Sequence, residues 1–428
     1  MTTVNNAEAG PHIFDITHGV ERTRLSNGLT VLTKEIHAKP VVSSIIWYRV
    51  GSRNEEPGQT GKSHFLEHML FKGTDRFAKG EIDLITLQNG GANNAFTDTD
   101  FTAYYFNFAS DRWQVALEIE ANRMVNNTFA PDEYESEKQV VEEELRIGLD
   151  GPWEALDQAV WAAAYRQHPY HNPVIGWLED LERATREEME AYYHQWYHPR
   201  NATLVIVGDI RAGETLGRVQ ELFGPIPSGP EPKPMPIREQ PQRGERRVTV
   251  RKQTEVERLQ IGFHTPEVTH PDAYVAQMLD TILGTGKTSR LYRRLEEHDQ
   301  SVTHFSVDYH DRIDPTLFTI RAEIKPDHGL AEVERAVEEE LDRLRQSPVS
   351  DEELRRARQL IKARFVLGNE QASNQAITLG YYETINRYEY LSDFFTKIDE
   401  VTAAEVQRVA RHYLVTDNRT VGWLVDEN

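Results

Sequence analysis

Within the run GKSHFLEHMLFKGT, His64, Glu67 and His68 stand at i, i+3 and i+4, so a helix through them presents all three side chains from one face. Phe65, Leu66, Met69 and Leu70 are left for packing. Two imidazoles one turn apart can share a Zn²⁺ ion at about 2.0–2.1 Å, and a carboxylate beside the second can hold a metal-activated water. The order H-x-x-E-H reverses the commoner H-E-x-x-H. Hydrolytic zinc chemistry needs a third protein ligand and an open position for water. The helix expected from Pro131 onward, through YESEKQVVEEEL, carries the candidates: Glu137 and Glu144 are seven apart and are read as sharing a face with Val140 and Val141. Glu144 is the preferred ligand, while Glu142 and Glu143 point elsewhere on the helix. Periodicity alone leaves a one-residue slip open.

The elements that must position these groups belong to a chain of 428 residues, which predicts two to three structural units. Charged residues at 27% and apolar residues at 39% exclude a disordered scaffold. With no cysteine, disulfides, thiolate nucleophiles and Cys-based metal sites are excluded, so any metal must use His and carboxylate. Acidic residues exceed basic ones by 69 − 48 = 21, which disfavours nucleic acid as a partner. No run approaches about 18 consecutive apolar residues, and the start lacks the features of a secretory signal, so no membrane span and a cytoplasmic location are expected.

The stretch from Gly224 to Arg247 holds seven prolines without apolar periodicity and reads as a semi-rigid linker. It separates an N-terminal unit, 1–223, from a C-terminal unit, 248–428. At an offset of 217 residues, Thr185, Glu188, Asn201, Thr203 and Asp209 fall on Thr402, Glu405, Asn418, Thr420 and Asp426. Each set describes a Thr-x-x-Glu helix start, a helix ending in an aromatic, an Asn turn and a buried strand, which predicts a duplicated unit. Asn27-Gly28 marks a hairpin, Val41–Val50 a central strand, and ANNAFTDTDFTAYYFNF two strands around Asp98-Thr99-Asp100. Helices are predicted over 61–72, 80–89, 110–126, 131–149, 153–165 and 185–197, and later over 350–370 and 402–413. The fold class is therefore α+β: two homologous layered domains, each a mostly antiparallel sheet with helices packed on it.

LSNGLTVL, GSRNEEPGQTGKSHFLEHMLFKGT, GGANNAFTDTDFTAYY, EKQVVEEEL and HPYHNPVIG, in that order, resemble the pitrilysin, insulinase and mitochondrial processing peptidase family of inverzincin metallopeptidases. The resemblance covers most of the chain. It implies one zinc ion per chain on His64, His68 and a Glu about 76 residues further on, which is Glu144. It implies Glu67 as general base and Glu137 as a supporting acid. Asn94, Ala95 and Phe96 match the family's edge strand, which a peptide substrate joins by β-augmentation. The implied activity is zinc-dependent cleavage of short or unfolded peptides inside a chamber closed by a second pair of domains.

One departure shapes the expected assembly. Active members resemble one another in the second half through L-R-E-x-x-x-L-x-Y, whose Arg and Tyr bind the substrate carbonyl. Here TSRLYRRLEEHDQSVTHFSV places Glu296 and Thr303 at those positions, and the second half has no H-x-x-E-H. A heterodimer is therefore expected, with a homologous subunit supplying the Arg/Tyr pair; a homodimer active alone is the alternative. A non-catalytic core-type subunit and a zinc-dependent peptide binder are the rival readings. His168, His171, His304, His310, Tyr381 and Tyr382 are assigned structural roles, with His304 and His310 on one strand.

Overall fold

The computed structural model describes residues 14–427. Strands β1 (Val20–Arg24), β2 (Thr30–Glu35), β3 (Val41–Tyr48), β4 (Ala92–Thr97), β5 (Thr102–Ala109) and β6 (Ala202–Gly208) form one sheet in the order β1-β2-β6-β3-β5-β4. Strands β7 (Arg246–Arg251), β8 (Arg258–Thr265), β9 (Val302–Asp308), β10 (Thr316–Ile324) and β11 (Arg419–Val425) form the other, in the order β7-β11-β8-β10-β9. Apart from β1 the two orders are the same, and each contains one parallel pair, β2 with β6 and β7 with β11. The fold is α+β, from two homologous layered domains.

The duplication extends to individual hydrogen bonds. Thr185 and Thr402 each accept from the backbone N–H three residues on, and the side chains of Glu188 and Glu405 return the bond. Asn201 donates its side-chain amide to the carbonyl of Trp196, and Asn418 donates to that of Tyr413. Both pairs preserve the 217-residue offset. Each Asn closes the exit from its helix and aims the chain into the following buried strand.

In the N-terminal half, helices α1 (Lys62–Met69), α2 (Glu81–Gln88), α3 (Gln114–Arg123), α4 (Pro131–Asp150) and α5 (Pro152–Ala164) fall within or near their predicted spans. The predicted helix 110–126 is shortened because Ala109 and Arg112 close a turn before it starts. The metal-motif helix ends at Met69 because the chain tightens to i→i+3 bonds through Lys72. The linker enters β7 at Arg246, one residue inside its predicted end. His310 does not share a strand with His304: β9 stops at Asp308, and residues 309–312 take no regular structure. Residues 292–298, given no element by the sequence pattern, form a π-helical turn.

The halves are interlocked. On one face of the first sheet, α1, α3 and α4 bury a core that includes Ile46, Phe65, Leu66, Tyr104, Leu117 and Val141. The other face, with Trp47 and Val205, packs against Ala376 and Leu379 of the helix Ala372–Ile385, which belongs to the C-terminal half. A Cβ at Gly380 of that helix would lie 2.0 Å from the Trp47 indole nitrogen, so only glycine permits this approach. In return, α5 from the N-terminal half packs Leu156 and Val160 on the second sheet at Leu424. Each sheet is thus covered partly by a helix of the other half, which fixes the cavity between them.

Arg123 lies in the first core, 1% exposed, ion-paired with Glu120 and 4.2 Å from the centroid of the Tyr104 ring. Arg123→Met would strand a buried carboxylate and is expected to destabilise the chain by about 3–5 kcal/mol, read by urea unfolding. The double change Glu120→Gln with Arg123→Met should recover most of that loss.

Candidate metal centre

The metal-motif helix starts at Gly61, in the left-handed region at φ 86°, where a Cβ would also strike the Ile175 carbonyl at 2.5 Å. Buried Glu55 accepts the backbone N–H groups of Gly61 and Ser63, both at 2.7 Å, and so caps this N-terminus. Burial raises the Glu55 carboxyl to about 8 despite those donors. Glu55 carries no sequence signature of a cap, because it reaches N–H groups six and eight residues further on rather than from a recognisable cap position.

On the half-buried side of α1 the His64 and His68 rings lie 4.7 Å apart. His64 Nε2 is 3.8 Å from one oxygen of Glu144, and His68 Nε2 is 3.5 Å from the other. One ligand atom from each of these three residues falls within 4.8 Å of the others, the only such group among the described residues. Two imidazole nitrogens and a carboxylate converging on one point fit Zn²⁺ with a position left open. Burial, and secondarily His68, push His64 down to about 4, so its ring is neutral and its lone pair free to ligate.

His68 is oriented from behind. Its Nδ1 donates to Glu137 at 2.8 Å, which leaves Nε2 as the lone-pair nitrogen facing Glu144. Burial would lower His68, but Glu137 and Glu144 together raise it. Glu137 is buried at 5% exposure, and burial alone would raise it; His68 and the ammonium of Lys72 hold it below the usual range. The α4 face is narrower than predicted: Tyr134, Glu137, Val141 and Leu145 are buried, whereas Val140 is 48% exposed. Val140 is one helical step off that stripe, and Glu144 lies at its edge, half in the cavity.

Glu67 projects from the same turn of α1. Burial raises its carboxyl, partly offset by Thr97, whose hydroxyl donates to Oε2 at 2.5 Å. Thr97 is the last residue of β4, and β4 pairs only with β5, leaving an edge of the sheet beside the site. Asn94, Ala95 and Phe96 lie on that strand; alternation sends Phe96 to the far face against Trp47 and Phe101, and Ala95 toward the core under α1.

A cavity of about 640 Å³ joins the site to the second half. His64, Thr97, Asp98 and Glu144 line it on one side, and Asp308, His310, Arg312 and Arg321 on the other. Both cations of the second half are occupied: Arg312 pairs with Asp98 at 2.6 Å, and Arg321 pairs with Asp157. Glu296 and Thr303 are not among the lining residues. His171 lines the cavity, whereas buried His168 bonds Asp314, and Tyr381 and Tyr382 bond the Asp311 carbonyl and carboxylate.

Residues 30–177 match the family model described as insulinase (peptidase family M16), and residues 183–361 match the model described as peptidase M16 inactive domain. The chain belongs to the M16 peptidase family. The zinc protease PqqE of Helicobacter pylori is 28% identical over 417 residues, covering 94% of this M16 chain and 92% of its own. YmxG, an uncharacterized zinc protease of Bacillus subtilis, is 27% identical over 403 residues, covering 93% and 96% respectively. The crystal structure of a protease from Helicobacter pylori has a TM-score of 0.91 at 28% identity, covering 95% of this M16 chain and 99% of that one. The N-terminal match contains the whole H-x-x-E-H motif and Glu144; the inactive-domain match has neither. Among the described residues of this M16 chain no helix is long and apolar enough to cross a membrane.

Proposed function

We propose that this chain is the zinc-bearing subunit of an endopeptidase that cleaves short or unfolded peptides in a closed chamber. The observation that carries the proposal is the convergence of His64, His68 and Glu144 next to a separately held carboxylate, Glu67. One zinc ion per chain would be held by those three residues and would supply Lewis acidity toward a peptide carbonyl and an acidified water. Glu67 takes the proton from the attacking water and delivers it to the departing amine. Glu137 keeps His68 in the ligating tautomer. The peptide lies as an added strand along β4, its backbone paired with Asn94, Ala95 and Phe96.

A homologous partner subunit carrying an Arg/Tyr pair completes the site by stabilising the developing oxyanion. Support comes from the engagement of Arg312 and Arg321 in ion pairs, which leaves neither cation free to meet a carbonyl oxygen. The test is hydrolysis of a mixed peptide library by the zinc-loaded chain together with its copurifying homologous subunit. Loss of cleavage on chelation and its return with zinc are expected; cleavage indifferent to chelator overturns the proposal. Glu137→Gln is expected to weaken zinc binding about 10- to 100-fold, measured by chelator competition, because the amide orients His68 less strongly than the carboxylate does.

A further inference from the structure

The turn beside the H-x-x-E-H site is held from both halves: within the N-terminal half the Ser52 and Arg53 backbone N–H groups donate to the Asp98 and Thr99 carbonyls at 3.3 and 3.0 Å. The turn that follows β4, Asp98-Thr99-Asp100, is gripped by the C-terminal half. Arg312 donates to the Asp98 carboxylate at 2.6 Å and also to the Thr99 hydroxyl, and the backbone N–H of Ile313 donates to Asp100 at 3.0 Å. Arg53 lies 3.3 Å from Asp100, and the Tyr170 hydroxyl donates to it at 2.7 Å. The Arg312 guanidinium also sits near the Trp161 and Tyr170 rings, at 5.8 and 5.7 Å from their centroids, so its position is fixed by packing as well as charge.

The residue immediately before this turn is Thr97, whose hydroxyl holds Glu67. Strand alternation directs Thr97 toward α1, where its hydroxyl meets Glu67, and one peptide bond joins it to Asp98. We propose that the C-terminal half sets the position of the base through Arg312: by fixing Asp98 and Thr99 it holds Thr97, and through Thr97 the Glu67 carboxylate. Thr97, Asp98 and Arg312 are positioning residues, and the inference rests on the reading of Glu67 as the base. It gives the domain without the metal motif a part in catalysis. It also links the strand that a peptide would join to the group that moves the proton, since Thr97 belongs to both.

The test is a double-mutant cycle on the zinc-loaded assembly with Thr97→Val and Arg312→Met. Each variant is expected to lower kcat about tenfold or more with KM and zinc content unchanged, as for loss of a charge-assisted hydrogen bond. If Arg312 acts through Thr97, the double variant is no slower than the slower single one; multiplying losses overturn the relay. Thr97→Ser and Arg312→Lys, which keep the hydroxyl and the charge, should retain most activity and guard against misfolding of the Arg312→Met protein. Arg22→Met, which breaks another contact between the halves at Glu383, should leave kcat unchanged; an equal loss there would mean that general loosening is responsible.

A readout without turnover is the affinity of a peptide hydroxamate, whose acidic proton bonds the base while the group chelates zinc. Its Kd should rise about tenfold in Thr97→Val and in Arg312→Met, and not in Arg22→Met. Unchanged affinity in the first two overturns the relay. No binding by the zinc-loaded wild type overturns the peptidase reading itself, and the relay with it.

Discussion

Glu67→Gln is expected to abolish peptide hydrolysis while leaving zinc bound at its wild-type stoichiometry. The substitution preserves side-chain shape, so the α1 packing of Phe65, Leu66 and Met69 is undisturbed, and the Thr97 hydroxyl can still donate to the amide oxygen. What is lost is the ability to accept a proton. General acid–base catalysis by one positioned group contributes roughly a hundred- to ten-thousand-fold, and here one residue serves both attack and departure, so the loss should fall at the upper end of that range. Zinc by elemental analysis and turnover on the peptide library would be measured on the same preparation. Retained turnover would remove Glu67 from the mechanism. Turnover and zinc lost together would make it a ligand, which is hard to reconcile with the three groups that already converge without it.

The parts of this site that could be read from the sequence are those in which chemistry and period coincide. His64, Glu67 and His68 lie within five residues on one helix, so their shared face follows from 3.6 residues per turn. Glu137 and Glu144 are two turns apart on one long helix, and that spacing survives even though the predicted face was drawn too wide at Val140. The duplicated fold was legible for the same reason, because capping boxes and Asn turns write their hydrogen bonds into fixed spacings. The shared strand order of the two sheets was not, since pairing depends on long-range contacts that leave no period in the chain.

What escaped the sequence lies across loops or between halves. Glu55 caps α1 from outside any recognised box; Lys72 stabilises Glu137 from a turn beyond the helix; Thr97 is one threonine among several in an alternating strand. The exchange of α5 and the helix Ala372–Ile385 between sheets has no local signature either, although Gly380 against Trp47 is its clearest trace. These are the contacts that convert a metal-binding face into an oriented site.

The zinc-loaded chain alone is expected to hydrolyse peptides roughly a hundred- to a thousand-fold more slowly than the same chain mixed with a homologous subunit bearing the Arg/Tyr pair. That is the size of the loss when one preorganised donor is taken from an oxyanion site, so with two donors missing it is a lower bound. On its own, the chain offers the cavity two cations, and releasing either would expose a partner to desolvation: Asp98 for Arg312, which packs against Trp161 and Tyr170, and Asp157 for Arg321. Turnover would be compared for the isolated chain, the mixture, and a mixture in which the partner's Arg and Tyr are replaced. If the isolated chain is as fast as the mixture, a donor within the chain or its homodimer is sufficient, and the divided site is ruled out. If the mixture is fast only with an intact Arg/Tyr pair, the active site is divided between two chains: one supplies metal ligands and base, the other the groups that receive the negative charge.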